Sequence, residues 1–137
     1  MKRCIGLVLV LLCACATTSE QSLYQALGGQ SGVEQLVERV TDIAHNDERI
    51  GFLFEDIDFP YFKARLTEQI CELSGGPCKY TGLDMTDAHS GMQITRAEFN
   101  YFVEDLQLAM DQVGLNVPTQ NRLLGLLVPM HADIIEQ

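Results

Sequence analysis

Glycine breaks at Gly28-Gly29, Gly75-Gly76-Pro77 and Gly114 cut a chain whose apolar residues otherwise recur at helical spacing. No segment alternates apolar and polar residues as a half-buried strand does, and no Asn-Gly hairpin signal occurs. These two facts predict an all-α fold of a few long helices joined by tight corners. Ser22 and Gln25 have capping-box spacing ahead of a short helix that Gly28-Gly29 stops. Ser31 and Glu34 have the same spacing, and Val33, Leu36, Val37, Val40, Ile43 and Ala44 then carry a helical face to Asn46. Gly51-Phe52-Leu53-Phe54 reads as an apolar corner. Asp58 is placed to cap a helix with Pro60 in its first turn, and its face is Phe59, Phe62, Leu66, Ile70 and Leu73. Residues 78–83 read as a loop and 84–91 as a short helix at most. Thr95 and Glu98 form the clearest capping box, followed by Phe99, Phe102, Val103, Leu106, Ala109, Met110 and Val113. Asn116 or Val117 starts a last helix, with Pro118 near its first position and Leu123, Leu124, Leu127 and Ile134 on its buried face.

At 137 residues, with 47% hydrophobic and 20% charged residues, the chain suits one domain with one core. Its net charge of −10 disfavours nucleic acid and anionic membrane surfaces as partners, and no basic cluster offsets that. The start is organised differently. Lys2 and Arg3 precede an apolar run, Ile5 to Leu12, that is too short to span a bilayer. Leu12-Cys13-Ala14-Cys15 resembles a bacterial lipobox, with Cys13 an uncommon residue two before the cut. The resemblance implies a signal peptide over 1–14, lipidation of Cys15, a short tether over 15–21 and a folded domain over 22–137. Ala16 resembles an outer-membrane sorting signal, so the expected location is the bacterial cell envelope, lipid-anchored and facing the periplasm. An ordinary secretory signal is the other reading. Either would leave Cys71 and Cys78 as an even pair in an oxidising compartment. The break at Gly75-Gly76-Pro77 lets the chain fold back between them. Both a disulfide and two separate thiols, one buried and one in a loop, stay open.

His89 is the residue with the most chemical content. It sits in a short segment just before the Thr95 cap, downstream of apolar stripes at Leu53-Phe54 and at Phe62, Leu66 and Ile70. One imidazole facing an apolar slot is what haem iron needs. His45 and His131 read as side chains packed near the corner and on the last helix. Glu55, Asp56 and Asp58 read as a solvated corner, since no partner base or metal-ligand spacing accompanies them.

The order of motifs resembles the truncated haemoglobins, the two-over-two globins, and group I most. Leu23-Tyr24-Gln25-Ala26-Leu27-Gly28-Gly29 resembles the family's first helix and glycine pair. Phe54 falls where the family sets a phenylalanine against haem. Gly75 to Gly82 resembles the second glycine motif, and Ala88-His89-Ser90-Gly91-Met92-Gln93-Ile94-Thr95 the proximal segment. The resemblance spans roughly Ser22 to Ile135. It implies haem b, with His89 as the axial iron ligand and its other ring nitrogen bonded to a backbone carbonyl. It also implies Phe54 stacked on the porphyrin, a distal lining of Phe62, Leu66 and Ile70, and Arg65 or Lys63 paired with a haem propionate. Tyr80 would add a propionate hydrogen bond.

Two departures stand out. Thr41 occupies the place of the tyrosine that usually bonds the dioxygen ligand, and Leu66 that of a supporting glutamine. Thr41 is short but could act through a water, and Gln69, beside the lining face, reads as solvent-exposed by default but could swing in. The resemblance therefore implies a protein that binds dioxygen, nitric oxide or carbon monoxide on a weakly polar distal side, with an unidentified redox partner. Nitric oxide dioxygenase-like turnover is a lesser expectation. The alternatives are a six-coordinate haem-holding lipoprotein with His45 as the leading second ligand, or else a Met or Lys, and a globin-shaped interaction lipoprotein without haem.

Overall fold

The computed structural model describes residues 21–137, and the lipobox, Cys15 and most of the tether lie outside these residues. Among the described residues seven α-helices follow in order: α1 (Leu23–Ala26), α2 (Gly29–Asn46), α3 (Phe59–Leu73), α4 (Met85–Ala88), α5 (Arg96–Gln112), α6 (Val117–Leu127) and α7 (His131–Ile134). Short 3-10 turns occupy Gly51–Phe54 and Val128–Met130. Among the described residues there is no strand, and no helix is long and apolar enough to cross a membrane. The architecture is the two-over-two helical sandwich.

The caps explain most helix starts. Side chains of Ser22, Asp58, Asp84, Thr95 and Asn116 each accept a backbone N–H three residues on. At Thr95 the box is reciprocal, because Glu98 in turn accepts the Thr95 N–H at 2.7 Å. The expected Ser31–Glu34 box does not form. Gly28, at φ +94°, already starts α2, so Ser31 lies within its first turn. The chain turns there because Gly32 comes so close to α1 that a Cβ would stand 2.8 Å from the Leu27 carbonyl carbon. The expected last helix also divides. Pro129 has no N–H to continue α6, so the chain tightens into a 3-10 turn and Ile134 falls in α7.

Helix α2 packs on both α3 and α5. Its inward face, Val33, Leu36, Val37 and Val40, is fully buried with Ile70, Ala109, Met110 and Leu123. A second, smaller cluster of Ala44, Ile50 and Phe54 holds the corner, with Phe102 packed against both clusters.

A charged knot pins this corner to α5. Arg49 bonds Asp47 and Glu104, each at 2.7 Å, lies over the Tyr101 ring at 4.2 Å and comes within 3.8 Å of buried Asp105. The Arg49 bonds hold the Asp47 carboxyl below the usual range. Asp105 goes the other way. Burial first, and then the nearby Asp47 charge, push its carboxyl up to about 6, against the pull of Arg49. A carboxyl that holds its proton more tightly folded than unfolded costs stability progressively as pH rises from its unfolded value to its folded one, and the full cost is present above the folded value. Replacing Asp105 by Asn should therefore stabilise the protein by about 1–2 kcal/mol at pH 7.5, with the gain vanishing near pH 4. Thermal melts of the two proteins across that range check this.

Candidate functional site

Helix α4 is a single turn that owes its start to Asp84, whose carboxylate accepts the Asp87 N–H at 2.9 Å. His89 caps its other end. The His89 Nδ1 lies 2.7 Å from the Met85 carbonyl oxygen. A carbonyl only accepts, so Nδ1 carries the proton, and Nε2 keeps a free lone pair. The ring is thus held in the one tautomer that suits it to bind a metal through Nε2.

His89 lines a cavity of about 400 Å³ between α3, α4 and α5, floored by α6 and the 3-10 turn after it. Its walls are apolar: Phe54, Phe62 and Leu66 on one side, and Phe99, Phe102 and Val103 from α5. Phe54 meets Phe62 edge-on at 5.9 Å and stacks with Phe102 at 6.3 Å. Polar groups gather at Tyr61, Arg65 and Tyr80. The structure thus brings together His89, Phe54, Phe62, Leu66, Arg65 and Tyr80.

It does not bring Ile70, Lys63 or Thr41 to the cavity. On a helix that turns about 100° per residue, Gln69 lies about 20° from Phe62, whereas Ile70 lies about 80° and Lys63 about 100° away. Ile70 accordingly belongs to the main core, and Lys63 pairs with Glu38 of α2 at 2.8 Å. Thr41 is buried on α2 and donates its hydroxyl back to the Val37 carbonyl at 2.7 Å. Tyr80 lines the cavity, but its hydroxyl donates to the Leu83 carbonyl at 2.6 Å and is not free to donate elsewhere. Its phenol is pushed up by burial.

Gln69 departs from its default reading as a solvent-exposed side chain and takes the alternative one. Rather than facing solvent, it is half-buried in the cavity wall, and its amide donates to the Met85 sulfur at 3.3 Å. The signal was its place seven residues after Phe62. His45 lies outside the cavity, edge-on to Phe59 at 5.0 Å. His131 packs beside Phe99 at 6.2 Å.

The residues present fit haem. The walls match a porphyrin's apolar faces, and His89 offers one axial nitrogen. Arg65 supplies the polar end. Its Nη1 donates to the Thr81 hydroxyl and its Nη2 to Glu68 at 2.8 Å, while its Nε is buried with no partner. A buried, unpartnered guanidinium N–H in the cavity wall is suited to a carboxylate such as a propionate.

A family model described as "Bacterial-like globin" matches residues 22–136. The chain belongs to the bacterial-like globin family. This globin is 26% identical over 115 residues to the group 1 truncated haemoglobin of Tetrahymena pyriformis, covering 84% of this chain and 95% of that one. It is 28% identical over 113 residues to a group 1 truncated haemoglobin of Mycolicibacterium paratuberculosis, covering 82% and 83%. A crystal structure of the Tetrahymena pyriformis protein in its Fe(III) form superposes with a TM-score of 0.82, at 26% identity, over 85% of this chain and all of that one. A Synechococcus 2/2 haemoglobin with covalently attached haem shares the fold, with a TM-score of 0.78 at 23% identity over 84% and 98%. The family implies haem iron and haem-based gas binding. Within this globin, replacing Arg65 by Met should speed haem loss roughly tenfold, as expected when a charged hydrogen bond is removed, with the Soret maximum unchanged. Transfer of haem to an excess of a haem-scavenging protein measures it.

Proposed function

We propose that this globin binds diatomic gases at the bacterial cell envelope, taking up carbon monoxide and nitric oxide readily and releasing dioxygen fast. The observation that carries the reading is His89, locked by the Met85 carbonyl as a metal-binding tautomer in the wall of an apolar cavity. Haem, when bound, would supply the iron at which such a gas binds. His89 would hold it through Nε2, Phe54 and the α5 aromatics would pack on the porphyrin, and Arg65 would pair with a propionate.

The α3 wall gives the selectivity. Phe62 and Leu66 offer no donor, Thr41 is spent on Val37, the Gln69 amide is engaged with a thioether, and Tyr61 lies at the exposed, polar end. Bound dioxygen carries partial negative charge and is retained by hydrogen bonds, whereas carbon monoxide depends on them less. The same lack of donors argues against efficient nitric oxide dioxygenation, which needs dioxygen to be held. A six-coordinate haem holder loses its leading second ligand, since His45 lies edge-on to Phe59 outside the cavity. The envelope part of the reading rests on Lys2-Arg3, the apolar run, Cys15 and Ala16.

Reconstituted with haem, the protein should give a five-coordinate ferrous spectrum, and His89→Ala should lose or greatly alter the Soret band. No band in either protein, or a six-coordinate ferrous spectrum, would overturn the reading. Leu66→Gln should slow dioxygen release tenfold or more, the worth of one hydrogen bond to a charged acceptor, with a smaller effect on carbon monoxide; stopped-flow displacement reads both. For the location, Cys15→Ser should move the protein from the membrane to the soluble fraction, and an unchanged distribution would refute the lipid anchor.

A further inference from the structure

Between Ser74 and Ile94 no residue is buried. Yet this stretch supplies His89, Tyr80, Leu83, Met85 and Met92 to the cavity wall. Burial of apolar side chains, which fixes every long helix here, therefore does little to hold the proximal segment. It is tied down at its two ends instead.

At the far end the ties are backbone hydrogen bonds. Gly91 and Gln93 donate to the Gln137 carbonyl at 3.1 and 3.3 Å, and Glu136 donates to Ile94 at 2.9 Å. At the near end the tie is covalent. Cys71, fully buried in the last turn of α3, forms a disulfide with half-buried Cys78, their Cα atoms 5.7 Å apart. The chain between them turns tightly over the bond. The Gly76 N–H donates to the Cys71 carbonyl at 2.8 Å, and a Cβ on Gly76 would stand 2.6 Å from the Cys71 sulfur.

Downstream of Cys78 the remaining near-end ties are polar and mostly exposed. Lys79 pairs with Glu72 at 2.8 Å, and the Tyr80 N–H donates to the same carboxylate at 3.2 Å. Glu68 accepts the Thr81 N–H at 3.0 Å and its hydroxyl at 2.9 Å. Each of these competes with water. The strap they hold, residues 78–84, carries Tyr80 and Leu83 of the cavity wall and Thr81, the partner of Arg65.

We propose that the Cys71–Cys78 disulfide is a redox-responsive latch on the cofactor slot: closed, it holds the strap against α3; opened by a dithiol reductant, it frees the strap and speeds haem loss. The haem half of this rests on the proposed function; the strap half does not. The exchange proceeds in two steps. A reductant thiolate attacks Cys78 Sγ, the more accessible sulfur, forming a mixed disulfide and expelling Cys71 as a thiolate that takes a proton from solvent. The reductant's second thiolate then displaces Cys78, which is protonated in turn, and the reductant leaves as its own disulfide. Two electrons pass from the dithiol to the protein. Reduced Cys71 stays in the core as a small apolar side chain, so the helices have no reason to come apart.

The test compares oxidised protein, protein reduced with dithiothreitol and desalted without air, and the Cys71→Ala/Cys78→Ala variant. Amide hydrogen exchange at Tyr80 and Thr81, measured without haem, should rise on reduction while exchange in α2 and α5 holds steady. Haem transfer from the ferric holoprotein to an excess of a scavenging protein should be roughly tenfold faster in both opened forms, a modest share of what such a cross-link can supply. Unchanged exchange and unchanged transfer in the reduced wild-type protein would overturn the latch, whether or not the variant folds. Raised exchange in a protein that gives no Soret band would support the latch and refute the haem reading alone.

Discussion

An apolar cavity in a small domain is the constraint around which the rest of the structure is arranged. Large apolar side chains such as Phe54, Phe62 and Phe102 line it, and left unfilled they lack packing partners on one face. The chain meets this by dividing its packing. Helix α2 seals a dry core with α3, α5 and α6 that needs no other component. The cavity lies beside it, walled by side chains that an apolar cofactor would cover. Phe102 belongs to both regions, so filling the cavity also supports the core.

The polar groups are sorted by the same division. Those near the corner satisfy one another, in the Arg49, Asp47 and Glu104 cluster, and leave only Asp105 under tension. Those at α3 and the strap are arranged around Arg65, whose guanidinium is held by Thr81 and Glu68 with one N–H unused. Neither group reaches the part of α3 formed by Phe62 and Leu66. A slot polar at one end and apolar along its wall suits an amphipathic planar ligand in one orientation.

Much of this was legible in the sequence, where local chemistry decided the outcome. Asp58, Thr95 and Asn116 cap their helices because a short acceptor side chain before an apolar periodic run has few better uses. The bond from His89 to a backbone carbonyl was implied by the family resemblance, and the structure gives Met85 as the partner. The misreadings share a cause: they turned on tertiary placement. Ser31 and Glu34 have box spacing, but the close passage of Gly32 over Leu27 starts the helix earlier. Ile70 looks more suited to a pocket wall than Gln69 by polarity, yet helix rotation carries Ile70 under α2 and Gln69 to the cavity. Thr41 aligns with a pocket position, but its short side chain satisfies itself on its own helix.

The tie between Gln137 and the segment around Gly91 bears on the order of events during synthesis. Helices α2, α3 and α5 have their main partners within the first 112 residues. The proximal segment does not, because its far end is fastened to a carbonyl 44 residues beyond Gln93. The core's buried residues, of which Leu123 is the last, all precede the two that fasten this segment. The far end of the segment that carries His89 is therefore secured only when the last two residues, 136 and 137, are in place.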